Sequence, residues 1–168
     1  MTDLTVRNLT SEEAAALPSV LIQRGGFPAL EGWNCFLQQV YRFPVYRLAV
    51  VDEDEVKGFL SLIHIRHPVF GSYLTTAPFA SWGGFAVTVP QAAQALLEEA
   101  RRLAARLGVE YVLVRHLNGE ETPPPDWVQL PHYATYRMDL PADPQDLMRR
   151  FSSDHRNHVR KSLRKGFT

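Results

Sequence analysis

Seven of the chain's 18 Lys/Arg residues lie from Arg149 onward, where Asp154 is the one acidic residue. That stretch carries +6, and the remainder, with 11 basic and 17 acidic residues, carries −6. Formal neutrality therefore hides an asymmetry, and an uncompensated basic segment attracts phosphate or carboxylate. At helical spacing Arg156, Arg160 and Arg164 form one ridge, and Asn157, Lys161 and Lys165 the next. Arginine offers forked hydrogen bonds to phosphate oxygens and lysine adds a point charge. The competing reading is a solvated or salt-bridged face. Asp154 cannot neutralise five basic neighbours, which weighs against it. Arg156, Asn157, Arg160, Lys161 and Lys165 are thus candidate contacts to a phosphate-bearing partner.

A second constellation is Ser81-Trp82-Gly83-Gly84-Phe85. Two glycines allow backbone N–H groups to approach a ligand, and Trp82 can wall a cleft. A plain turn is the alternative. Trp82, Gly83 and Gly84 join the candidate list. The six histidines nominate no metal site: His64-x-x-His67 has no Cys or carboxylate nearby, and His155 and His158 sit among cations that repel a dication. Cys35 reads as packed core. No Walker loop, GxSxG, HExxH, CxxC pair or GxGxxG occurs, so no cofactor is assigned by motif and no spacing nominates a catalytic base. The basic tail also lacks the interleaved aromatics that stack bases.

These groups need a scaffold. The 168 residues, 45% hydrophobic with one cysteine, suit one globular domain in a reducing compartment. No basic-then-apolar leader is visible and no apolar run reaches the ~20 residues that span a bilayer. The expectation is a cytoplasmic protein, with a transient membrane-surface contact through the tail left open.

Residues 4–9 alternate as a short strand, and Thr10 or Ser11 caps a helix that Pro18 interrupts. Leu30, Trp33, Leu37, Val40 and Tyr41 predict a helix over 30–41. Val45–Val51 and Val56–Arg66 predict a hairpin turning at Asp52-Glu-Asp-Glu55, followed by a strand over 73–77. Pro90 opens and Gly108 closes a helix striped by Leu96, Ala100, Leu103 and Leu107, with Glu98 paired to Arg102. A strand over 110–116, a proline-rich loop, a weak strand over 133–140 and two helices complete the chain. This order predicts an α+β (mixed α/β) domain, a largely antiparallel sheet flanked by helices. The domain spans 1–141, and 142–168 is a basic helical segment.

Two segments together resemble the FemAB-like proteins, in the branch associated with exopolysaccharide and PEP-CTERM loci. Arg156-Asn157-His158-Val159-Arg160-Lys161-Ser162-Leu163-Arg164-Lys165-Gly166 is similar to their RN-x-(I/V)-RK-A-x-(K/R)-x-G signature, with Ser162 in place of the usual Ala. Phe70-Gly71-Ser-Tyr-Leu74, then Ala77-Pro78-Phe79 and Trp82-Gly83-Gly84, resembles their FG-x-x-L…PF…GG stretch. Trp33, Gly108 with Tyr111 and Arg115, and Leu140-Pro141 are lesser matches.

The resemblance implies a GNAT-type acyltransferase fold, the first of two such domains in tandem. It implies transfer of an amino acid from aminoacyl-tRNA, or a related acyl transfer, onto a peptidoglycan or polysaccharide precursor. Family members are about twice this length, so the resemblance implies an N-terminal fragment that lacks a second GNAT-like domain. Arg156, Asn157, Arg160, Lys161 and Lys165 would then lie on the helix leading to that domain, holding the phosphates of the acceptor or of tRNA. The Q/R-x-x-G-x-G/A loop with which CoA-dependent acetyltransferases grip pyrophosphate is missing. Two alternatives stand beside this reading: a non-catalytic module binding RNA or anionic lipid, and a single-domain CoA-dependent N-acetyltransferase. The acyl donor is accordingly aminoacyl-tRNA or acyl-CoA.

Overall fold

The computed structural model describes residues 4–69, 71–116, 124–130, 136 and 138–166. Two compact units are present, Met1–Tyr133 and Ala134–Thr168.

The first unit is a six-stranded sheet covered on both faces. Strand β1 (Thr5–Asn8) runs into helix α1 (Ser11–Ala15), where Thr10 and Glu13 cap each other reciprocally. Pro18 ends that helix and precedes α2 (Ser19–Gly25). A 3-10 turn (Phe27–Ala29) leads into α3 (Glu31–Val40). Strands β2 (Val45–Asp52) and β3 (Glu55–His67) form the expected hairpin around an acidic turn. Next come β4 (Gly71–Thr75), β5 (Phe85–Val87), the long helix α4 (Pro90–Leu107) and β6 (Tyr111–Leu113).

The sheet order is β1-β2-β3-β4-β6. All pairings are antiparallel except β4 with β6, which is parallel. A parallel neighbour requires a crossover, and α4 supplies it. The mixed architecture predicted from the order of elements is the one observed. Strand β5 is an addition: three residues are too few for period-2 alternation to register. It pairs with the first half of β3, and β4 pairs with the second half. Between them, residues 76–84 leave the sheet as a loop.

Alternation along β3 splits the core in two. Leu60 and Leu62 join Leu48, Leu74 and Phe85 under the Leu96–Ala100–Leu103 stripe of α4. Phe59 and Ile63 face the other way, under α1 to α3, with Leu21, Leu37 and Val45. Full burial of such side chains contributes roughly 1.5–3 kcal/mol each. Arg102 lies 3.6 Å from Glu98, the pair expected from spacing.

The second unit contains α5 (Pro144–Arg150), capped by Asp143, and α6 (Ser153–Arg164), capped by Ser152. Of the weak strand expected over 133–140, residues 136 and 138–140 are described and lie in no strand; the others, like Phe70 and Phe167, fall outside the described residues. Among the described residues no helix is long and apolar enough to cross a membrane.

Candidate functional site

The cations of the second unit sit as the helical spacing requires. Phe151, at the end of α5, and Val159 on α6 are half-buried, and Leu163 is exposed. Arg149 pairs with Asp146 on α5, and Asp154 faces His158 at 3.6 Å. Among the described residues no carboxylate pairs with Arg156, Arg160, Lys161, Arg164 or Lys165. Arg156 donates to the Phe151 carbonyl at 2.6 Å and Arg164 to that of Arg160 at 3.4 Å. Asn157 is exposed on the same helix. Arg156 shares the half-buried side of α6 with Val159, whereas Arg160, Lys161, Arg164 and Lys165 are exposed.

Trp82, Gly83 and Gly84 belong to the first unit, in the loop between β4 and β5. That loop occupies the place where β4 and the chain after β6 diverge. The Arg115 N–H donates to Thr76 Oγ1 at 3.0 Å, so a side chain continues the ladder past the end of β4. Gly83 N–H donates to Arg115 O at 2.9 Å, and Gly84 N–H to Gly25 O at 2.8 Å. The two donors expected to face a ligand are therefore committed within the chain. Glycine is required there for close approach. A Cβ on Gly83 would lie 2.5 Å from Gly25 O, and one on Gly84 would lie 2.7 Å from Thr76 O. The Trp82 ring covers Gly26, whose added Cβ would come within 2.8 Å of it.

Beneath this loop, on the α3 side of the sheet, lies a polar group that spacing did not reveal. Ser61 Oγ donates to Asn34 Oδ1 at 2.7 Å, both residues being fully buried. Thr75, opposite Ile63 in the ladder, is 3% exposed. Asn34 Nδ2, Thr75 Oγ1 and Trp33 Nε1 are buried without a hydrogen-bond partner. Polar residues at inward positions of apolar elements were the available signal. Asn34 follows the stripe residue Trp33, and Ser61 and Thr75 interrupt buried strands.

Glu31 anchors the start of α3. Its carboxylate takes two hydrogen bonds from Arg47 on β2, at 2.7 and 2.6 Å, and accepts from Ser11 Oγ and from Cys35 Sγ at 3.1 Å. Burial works to raise the Glu31 pKa, but these bonds outweigh it and hold the carboxyl below its usual range. Cys35, expected as core, is half-buried and serves as a donor. On the opposite face of β3, His64 is 1% exposed and 2.8 Å from Ser72 Oγ. Burial first, and Arg66 second, lower its pKa and keep it neutral.

The arrangement of sheet and helices is shared with solved acetyltransferases. The fold is the GNAT fold. A GNAT family acetyltransferase of Staphylococcus aureus matches with TM-score 0.53 at 14% identity, over 82% of this chain and all of that one. An acetyltransferase of Trypanosoma brucei matches with TM-score 0.54 at 13% identity, again over 82% of this chain and all of that one. An aminoglycoside acetyltransferase from an uncultured soil sample, solved with trehalose, matches with TM-score 0.52 at 14% identity, over 80% and 97%. No protein-family model matches the chain, and no curated protein matches it in sequence.

The GNAT fold implies acyl-CoA, whose diphosphate needs free N–H donors at a strand-to-helix turn. The turn from β5 into α4, Val87-Thr88-Val89-Pro90-Gln91, leaves at most the N–H groups of Val89 and Gln91 for that need. Thr88 donates both its N–H and its hydroxyl to Lys57 O, at 2.8 and 3.0 Å. Pro90 has no N–H. Ala92 donates to Val89 O at 3.1 Å. The nearby cation, Arg24, donates to Val87 O at 2.6 Å. The turn also lacks the glycine that would let its backbone approach phosphate.

Proposed function

We propose that this chain is an acyltransferase domain, in which an acceptor amine attacks the carbonyl of an activated acyl donor. The observation that carries this reading is the shared architecture: a parallel β4–β6 pair bridged by α4 beside an antiparallel hairpin sheet. In acyl transfer, positioning and a polar environment for the tetrahedral intermediate supply much of the rate.

The finer reading favoured by the solved structures is N-acyl transfer within a single domain, because this chain covers 97–100% of those acetyltransferases. A second reading is FemAB-type transfer from aminoacyl-tRNA to a cell-envelope acceptor. Its support is the set of α6 cations that no carboxylate pairs with among the described residues, and a β5–α4 turn that spends the Thr88 and Ala92 N–H groups within the chain and has none at Pro90.

Both are tested by incubating the purified chain with a panel of primary amines and either acetyl-CoA or aminoacyl-tRNA, followed by mass spectrometry. The single-domain reading expects acetylated amine. With the Thr88 and Ala92 donors committed within the chain, saturation should lie above the roughly 1 mM upper end of ordinary KM values. Product from aminoacyl-tRNA alone would replace the first reading with the second. No acylated amine from either donor would refute acyl transfer.

A further inference from the structure

We propose that the α3 side of the sheet binds a neutral ligand that carries a carbonyl oxygen on a flat apolar body. The inference concerns ligand recognition and holds whatever the acyl donor proves to be.

The polar atoms set the chemistry of the ligand's head. Asn34 Oδ1 is taken by Ser61, so its amide is left with two N–H donors. Trp33 Nε1 can only donate. Thr75 contributes a hydroxyl, and none of the three has a partner in the chain. A set dominated by donors is complemented by an acceptor oxygen. Charge on that oxygen is disfavoured. The buried ions on this face, Arg47 and Glu31, neutralise one another through two short hydrogen bonds, so a buried anion would find no buried counter-ion. A neutral carbonyl, as in an amide or ester, satisfies both conditions.

The rings set the chemistry of the body. Trp33 stacks on Phe36 with centroids 5.3 Å apart, Phe36 meets Tyr41 at 5.7 Å, and Tyr41 meets Phe79 at 4.9 Å. Phe36, Tyr41 and Phe79 are 40%, 44% and 63% exposed, so this aromatic chain presents a continuous surface to solvent. Ligand sites combine such apolar walls with a few buried polar groups. Phe79 belongs to the 76–84 loop and has φ 63°, a left-handed conformation that a phenylalanine rarely adopts. Phe79 is thus a strained point of the loop at the end of the aromatic surface.

The test uses the full chain labelled with 15N and N-acetylphenylalaninamide as probe, with N-acetylphenylalanine (anionic) and N-acetylglycinamide (no ring) as comparisons. Saturable shifts are expected at the Trp33 indole N–H and the Asn34 side-chain amide, with both comparison compounds at least tenfold weaker. Thr75→Val, an isostere without the hydroxyl, should weaken the probe about tenfold without lowering Tm, since an unpartnered hydroxyl contributes nothing to folding. Three results would overturn the proposal. The probe could leave both resonances unmoved, Thr75→Val could bind it unchanged, or Thr75→Val could lower Tm and so reveal an intrachain role for the hydroxyl. A negative acyl-transfer assay has no bearing on any of these readouts.

Discussion

Gly83→Ala separates the two roles that its sequence context allows. A glycine that cradles a ligand tolerates a methyl group until the ligand arrives. A glycine pressed between segments does not. Gly83 has φ 123°, and a Cβ there would lie 2.5 Å from Gly25 O and 2.8 Å from two carbons of Pro28. The backbone state costs an L-residue about 1–3 kcal/mol. Forcing a methyl into packed surroundings costs roughly 1–3 kcal/mol more. If the loop instead shifts to relieve the clash, the bonds Gly83 N–H to Arg115 O and Gly84 N–H to Gly25 O weaken. Each contributes about 0.5–1.5 kcal/mol. By either route the loss is about 2–6 kcal/mol, against a total of roughly 5–15 kcal/mol for a domain. Urea unfolding followed by tryptophan fluorescence measures it. Gly32→Ala is the internal control: it lies in α3 with nothing within 4 Å of an added Cβ. That change should stabilise by about 0.5–1 kcal/mol through helix propensity. A Gly83→Ala protein less than 1 kcal/mol below wild type would refute the close-approach account and return the glycine to a ligand-binding role.

Other expectations follow from charge. Glu31→Gln leaves the Arg47 guanidinium buried without its counter-charge, with loss of about 3–5 kcal/mol in chemical denaturation; a loss within 0.5 kcal/mol would show the pair to be dispensable. Because the folded-state pKa of Glu31 is depressed, its stabilisation is complete above the unfolded carboxyl pKa and is lost as pH falls through the folded one. The wild type should therefore weaken progressively below about pH 4.5, while the acid limb of Glu31→Gln is flatter; parallel limbs would contradict this. Replacing Arg160 and Lys161 together by Ala should weaken tRNA retention on filters. It should also make the log–log salt slope shallower by roughly 1–2, and an unchanged slope would remove both residues from the phosphate contact.

Much of the scaffold was legible in the chain. Pro90, the leucine stripe and Gly108 marked α4, and the acidic turn marked the β2–β3 hairpin. These features report local energetics: a cap, a period, a turn. Strand β5 escaped because it is three residues long and owes its existence to a place on the edge of β3. The candidate site divides in the same way. The α6 cations could be read from spacing, since a helix fixes which side chains share a ridge. Asn34, Ser61 and Thr75 could not, because they come from three elements: Ser61 reaches Asn34 across the α3–β3 packing, and Thr75 stands opposite Ile63 through the β3–β4 register.

The sequence by itself determined the charge asymmetry, the order of helices and strands apart from β5, and the lack of a glycine-rich diphosphate loop. Each depends on residue type and short spacing. Only the tertiary structure decided that the Gly83 and Gly84 amides are consumed by Arg115 and Gly25, and that polar atoms stand unpartnered beside Ile63. Hydrogen-bond donors are spent on whatever acceptor the packing brings within about 3 Å, and that acceptor lies dozens of residues away along the chain.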